Sequence, residues 1–167
     1  MAILTQTPYV NTDDTVKRIL QIVSGQYGEL SQPVRECVED IVRFVNQRDK
    51  ASQIAAIYYW FKPRFTYLYD PIQNELVKTP QRIVTEIGQK GKACGDCDDA
   101  TCFFLAAFRS IGIQCQPVRV RFQAGGDYSH ILTVAWDQHG RKLYVDPVAS
   151  YKTPKMLGDA QVLKVGV

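Results

Sequence analysis

The chain changes its hydrophobic period once, at Gly112, and that change decides the class of fold open to it. Upstream, apolar residues recur at helical spacing: Val16, Ile19, Leu20 and Val23, then Val34, Cys37, Val38, Ile41 and Val45, then Ile54, Ile57, Tyr58 and Phe61. The strongest helix runs from about Cys97 to Ile111, with Ala100, Phe104, Phe108 and Ile111 in register with Cys97 along one core-facing stripe. Gly112 stands where a glycine is expected to end it. Downstream the period is two. Val118, Val120 and Phe122 alternate with Arg119 and Arg121; His130, Leu132, Val134 and Trp136 share one strand face; Leu143 and Val145 alternate with Tyr144 and Asp146. Helices followed by an antiparallel meander make an α+β order, with a central helix packed on an antiparallel sheet.

Local signals mark the boundaries. Thr12 opens a first helix with Asp13 and Asp14 in its first turn, and Gly25 and Gly28 close it. Ser31 and Pro33 open a second helix, and Pro63 stops a third. Phe65 to Tyr69 reads as a short extended segment closed by an Asp70-Pro71 turn, and Thr79-Pro80 starts a helix through Gln89. Lys90 to Asp96 reads as a loop; Gly125-Gly126-Asp127 and Asp137 to Gly140 read as turns between strands. The 167 residues, 46% hydrophobic, fit a single domain over 1–167: an arm at 1–11, a core at 12–150, and a C-terminal strand or docking tail at 151–167.

Bulk chemistry excludes several classes. A net charge of +3 without a clustered basic stripe argues against a nucleic-acid partner. No apolar run approaches the length of a membrane span. The start, Met1 to Pro8, lacks a basic region and a long apolar run, so no signal peptide is expected and the chain is expected in the cytoplasm at synthesis. Five cysteines at irregular spacing, in that reducing setting, are expected to be buried, catalytic or metal-bound rather than paired.

Cys97 is the candidate nucleophile on positional grounds. It occupies the first turn of its helix, where free N–H groups and the positive dipole end favour a thiolate. Asp96, Asp98 and Asp99 work the other way, so a cationic partner is needed, and an imidazolium is the usual one. Of two histidines, His139 lies in a polar turn, whereas His130 opens a strand at the edge of a buried face. Taken alone, His130 reads as a rim residue and Asp146 as a strand-end Asp-Pro turn. Together they read differently: the turn at Asp137–Gly140 folds Asp146 back toward His130, with the position opposite His130 falling at about 146 to 148. A carboxylate there can orient the imidazole, the third role in a nucleophile–base–orienter set.

The run Gly95-Asp96-Cys97-Asp98-Asp99, its apolar continuation through Phe108, and Arg109-Ser110-Ile111-Gly112-Ile113 resemble the nucleophile helix of transglutaminase-like proteins. Ser129-His130 at a strand start and Tyr144-Val145-Asp146-Pro147 at a strand end resemble the second and third motifs of that family, in family order. Phe65-Thr66-Tyr67 with Asp70-Pro71 resembles the segment before the nucleophile in small bacterial and bacteriophage members. The resemblance covers about residues 12–150. It implies a papain-like α+β core and a Cys97–His130–Asp146 triad for acyl chemistry through a thioester, without cofactor or metal. The substrate it implies is a protein, peptide or peptidoglycan peptide. The backbone N–H of Cys97 would be one oxyanion donor; for a second, Tyr67, Trp60 and Gln89 stay open, each also readable as structural.

Cys94-Gly95-Asp96-Cys97 is a C-x-x-C, but no apolar strand precedes it as a thioredoxin-like site would require, and no second short pair completes a zinc site. Gly88 to Ala93 lacks the spacing and the Ser/Thr of a phosphate loop. The alternative of a different class is a structural or binding component, such as a bacteriophage virion protein, meeting an assembly partner through the tail from Ser150 to Val167.

Overall fold

The computed structural model describes residues 4–8, 12–69, 74–121, 130–147 and 161–164. A short strand β1 (Leu4–Pro8) precedes helices α1 (Thr12–Val23), α2 (Gln32–Val42) and α3 (Lys50–Phe61), and strands β2 (Phe65–Tyr67), β3 (Asn74–Lys78) and β4 (Ala93–Gly95) are short as well. Helices α4 (Pro80–Lys90) and α5 (Cys97–Ser110) are followed by β5 (Cys115–Arg121), β6 (His130–Trp136), β7 (Lys142–Val145) and β8 (Gln161–Lys164). The α+β order therefore stands.

The caps form where side-chain acceptors precede helices. Ser31 accepts from the Val34 N–H, Asp49 from Ser52, and Thr79 from Arg82, with Pro80 in the first turn of α4. Pro63 does not simply stop α3 but sits in a 3-10 turn, Lys62–Arg64, that feeds β2. Gly112, at φ +76°, takes the left-handed conformation that ends α5.

Helix α5 is the hub, touched by α1, α2, α4, β3, β4, β5 and β6. The sequence suggested a single stripe along it; instead every residue from Asp98 to Phe108 is buried. A helix apolar all round belongs in the middle of a core, not on its surface. Phe103 and Phe104 pack on Phe61, with ring centroids 4.4 and 4.9 Å away. That aromatic cluster anchors the helix against α3.

The four-stranded sheet runs β7-β6-β5-β8, with β6 antiparallel to both neighbours and β8 antiparallel to β5. Ile131, Ala135, Cys115 and Val145 join the main core with α5. Val118, Val120, Leu132 and Val134, the alternate positions, form a second cluster with Trp136 and Tyr144 on the other face. Within the C-terminal run, Gln161–Lys164 forms β8 and pairs antiparallel with β5.

Three strands depart from the sequence reading. The arm at 1–11 contains β1, which pairs antiparallel with β3 from Leu4↔Lys78 to Pro8↔Asn74. The supposed loop at Lys90–Asp96 contains β4, paired in parallel with β2 through Tyr67↔Gly95. The Asp70-Pro71 and Gly125-Gly126-Asp127 turns and most of the 151–167 tail lie outside the described residues.

Candidate active site

Two elements end at the same place: the N-terminus of α5 and the start of β6. Cys97 is the first residue of α5 and is half-buried against the main core. The Ile131 backbone hydrogen-bonds to its sulfur, which brings Cys97 to the strand position beside His130. His130 Nε2 lies 2.6 Å from Asp146 Oδ2, with both side chains more than nine-tenths buried. His139 is exposed in the Asp137–Gly140 turn.

That turn is built by Asp137. Its Oδ1 accepts from the N–H groups of His139 and Arg141 at 2.8 and 2.9 Å, and its Oδ2 accepts from Arg141 Nε at 2.7 Å. Gly140, at φ +75°, completes the reversal into β7. The hairpin register thus carries Asp146 back onto the strand face of His130, one diagonal step away.

The start of α5 is anchored as tightly. Asp96 accepts from the N–H groups of Asp98 and Asp99 at 3.0 and 3.4 Å, and the Asp99 carboxylate accepts in return from the Asp96 N–H at 3.2 Å. This reciprocal capping box engages the second and third helical N–H groups and not that of Cys97. Asp99 also accepts from the Lys78 N–H at 2.6 Å. Lys78 Nζ, in turn, reaches Glu86 Oε2 at 3.1 Å and the Cys94 carbonyl at 2.6 Å.

The charges around the sulfur oppose its ionisation. Burial, then the carboxylates of Asp98 and Asp96, push the Cys97 thiol well above its usual range; the Ile131 hydrogen bond offsets part of this. Asp98 Oδ1 stands 3.7 Å from the sulfur. Tyr67 is raised as well, by burial first and then by the negative charge of its neighbours Cys97 and Asp96. Of the other two oxyanion candidates, Trp60 is stacked on Phe103 and covered by the Arg64 guanidinium, and Gln89 is exposed in the last turn of α4.

The donor atoms of Asp96, Cys97 and Asp98 lie within 4.8 Å of one another, as metal ligands could. Asp96 is already spent on capping, so the cluster reads as a helix start. The C-x-x-C spacing is no redox pair either. Cys94 to Asp96 is extended, through β4 and an Asp96 cap at φ −107°, ψ −163°. Three extended steps separate the Cα atoms of Cys94 and Cys97 by roughly 10 Å, beyond the reach of a disulfide.

The profile of the transglutaminase-like superfamily matches residues 35–147, from α2 to the residue after Asp146. The chain belongs to that superfamily. Two solved structures share the transglutaminase-like fold. One, a proposed protease from Parabacteroides distasonis ATCC 8503, gives a TM-score of 0.63 at 10% identity, covering 93% of this chain and 30% of its own. The other, a proposed cysteine protease from Cytophaga hutchinsonii, gives 0.55 at 14% identity, covering 97% of this chain and 58% of its own. The chain thus spans less than two thirds of either. No curated protein matches its sequence. Membership of the transglutaminase-like superfamily supports a thiol-dependent enzyme in general terms. Among the described residues, no helix is long and apolar enough to cross a membrane.

Proposed function

We propose that this chain carries out acyl chemistry at Cys97, with His130 as the base and Asp146 as the group that orients it. The observation that carries the reading is the buried His130–Asp146 pair at 2.6 Å, next in sequence to the Ile131 backbone that touches the Cys97 sulfur. A buried carboxylate bound to Nε2 fixes the ring, so proton exchange with the thiol goes through Nδ1.

The elevated Cys97 pKa shapes the step. Cys97 rests as a thiol and loses its proton to His130 as the sulfur attacks a carbonyl carbon. The C–S bond forms while the carbonyl π pair moves to oxygen. The Cys97 N–H, left outside the capping box, is one donor for that oxyanion. Tyr67 is the candidate second donor, since a hydroxyl whose pKa is raised keeps its proton. Collapse breaks the bond to the leaving amine, which takes the proton from His130, and a thioester remains. Water or a second amine then attacks the thioester with His130 again the base; the C–S bond breaks and the sulfur takes the proton back from His130, giving hydrolysis or acyl transfer. The acyl donor in this reading is an amide of a protein, peptide or peptidoglycan peptide.

Intact-protein mass spectrometry after exposure to activated peptide esters tests the proposal. Wild type should gain one acyl group on Cys97, Cys97→Ala none, and His130→Ala should acylate at least about a thousandfold more slowly. An adduct that persists in Cys97→Ala would overturn the assignment.

A further inference from the structure

Among the buried ionisable groups that the chemistry above leaves unused is Asp99, which is 1% exposed. Its two oxygens hold two different segments. Oδ1 accepts from the N–H of Lys78 at the end of β3 (2.6 Å), and Oδ2 from the N–H of Asp96, the residue before Cys97 (3.2 Å). The third participant is Gly95. A methyl group there would stand 2.1 Å from Asp99 Oδ2 and 2.8 Å from its Cβ and Cγ, an overlap no side chain survives without displacement. The carboxylate therefore lies directly on the backbone at Gly95, and only glycine permits that approach.

We propose that Asp99 is a positioning residue: seated on Gly95 and clamped between the Lys78 and Asp96 N–H groups, it sets the place of the Cys97 sulfur at the start of α5. The inference rests on the proposed role of Cys97. Helix stability alone does not account for this arrangement. A capping box needs only a surface Glu or Gln at the third position, which loses little solvation. Here the group is a carboxyl sunk in the core, and burial together with the Asp96 charge pushes its pKa up to about 8. Burying such a group costs stability, and a fixed geometry is what it supplies in return. The clamp is backed from behind, because Lys78 Nζ grips the Cys94 carbonyl on the strand that leads into Gly95. The end of β3, the end of β4 and the first turn of α5 are thereby joined at one carboxylate. The sulfur that must meet both His130 and an acyl carbon hangs from Cys97, the residue directly after the Asp96 anchor. Displacements of about 1 Å at such a centre cost orders of magnitude in rate.

The test is a cycle of four proteins, wild type, Gly95→Ala, Asp99→Ala and the double variant, with Asp99→Asn as the isosteric fifth. Two rates are followed at Cys97 by site-resolved mass spectrometry: acylation by an activated ester and alkylation by iodoacetamide, each on protein shown folded by circular dichroism. Gly95→Ala should slow acylation at least about tenfold in wild type but less than about twofold in the Asp99→Ala background, since the methyl then meets no carboxylate. Asp99→Asn keeps shape and fold while placing an NH2 against the Lys78 or Asp96 N–H, and it should acylate about tenfold more slowly at unchanged KM. Equal effects of Gly95→Ala in both backgrounds overturn the proposal, as does an Asp99→Asn that loses only thermal stability. Should Gly95→Ala leave too little folded protein, the Asp99→Asn rates decide alone. A wild type that alkylates at Cys97 but never acylates would sink the acyl-transfer reading, while the alkylation cycle would still decide the positioning role.

Discussion

His130 and Asp146 meet at 2.6 Å although the hairpin does not pair them directly. The ladder sets Thr133 opposite Val145, so the same register extended one step past the end of β7 sets Leu132, not His130, opposite Asp146. Asp146 is thus a diagonal neighbour on the same strand face, a separation that an imidazole and a carboxylate can bridge. The contact is made from residue 146, the lower end of the range read from the turn. It depends on the turn geometry that Asp137 and Gly140 impose.

From this pair comes a graded expectation. Single-turnover acylation should be abolished in practice by His130→Ala, and slowed by Asp146→Asn on the order of 10²-fold, because the ring is no longer held in one tautomer. His139→Ala, in an exposed turn position, should leave the rate within about twofold. If Asp146→Asn acylates as fast as wild type, the 2.6 Å contact is structural and the base acts without an orienter.

The charges around the sulfur give a second expectation, with a defined sign. A carboxylate 3.7 Å from the Cys97 sulfur disfavours the thiolate, so removing that charge lowers the thiol pKa. Asp98→Asn should therefore shift the pH profile of Cys97 alkylation toward lower pH and raise its rate at pH 7 several-fold, on the order of one pKa unit. The profile is followed with iodoacetamide between pH 6 and 10. An unchanged or alkaline-shifted midpoint would show that Asp98 does not act on the sulfur through charge.

Much of this site was legible in residue order, and its limits are instructive. Cys97 could be placed at a helix start because Gly112 and the 3.6 period fix both ends of α5. His130 and Asp146 could be brought together because strand alternation and a four-residue turn leave few registers. The strands β1, β3 and β4 were not legible: each is three to five residues long and exists through its partner. Leu4–Pro8 carries no alternation that would stand alone, and Ala93–Gly95 follows a glycine-bearing polar run. The role of Asp99 was hidden for the same reason. It depends on where the end of β3 arrives, and nothing local to Asp99 records that. The single stripe assigned to α5 was too narrow because its other faces, Phe103, Leu105, Ala106 and Ala107, meet elements distant in sequence.

Asp99 also makes stability depend on pH. Its pKa is about 8 in the folded chain, against about 3.8 for an ordinary aspartate. Between those values the native state binds a proton that the unfolded chain does not, so stability falls as pH rises from about 4 to 8. The slope from one group is at most about 1.4 kcal/mol per pH unit. Urea unfolding at pH 5, 6.5 and 8 should show the stability difference between Asp99→Asn and wild type moving in favour of the variant as pH rises. A difference that stays constant across that range would mean the folded carboxylate is not raised.

Tyr67 is the test of the oxyanion site. It lies on β2 opposite Gly95, its ring set edge-on to Tyr69 at 4.8 Å, and its hydroxyl is raised by burial and by the charges at Cys97, Asp96 and Asp98. At neutral pH the group is therefore a phenol with a proton to give. A donor that stabilises only the developing oxyanion contributes to the transition state and not to ground-state binding. Tyr67→Phe removes the hydroxyl and keeps the ring that packs against Tyr69, so the fold should lose little. Acylation at saturating ester should fall on the order of 10²-fold while KM stays within about twofold. Iodoacetamide alkylation of Cys97 separates the possibilities, because that reaction builds no oxyanion. It should proceed in Tyr67→Phe at close to the wild-type rate. Loss of alkylation alongside acylation would instead make Tyr67 a support for the sulfur, and an unchanged acylation rate would remove it from the site altogether.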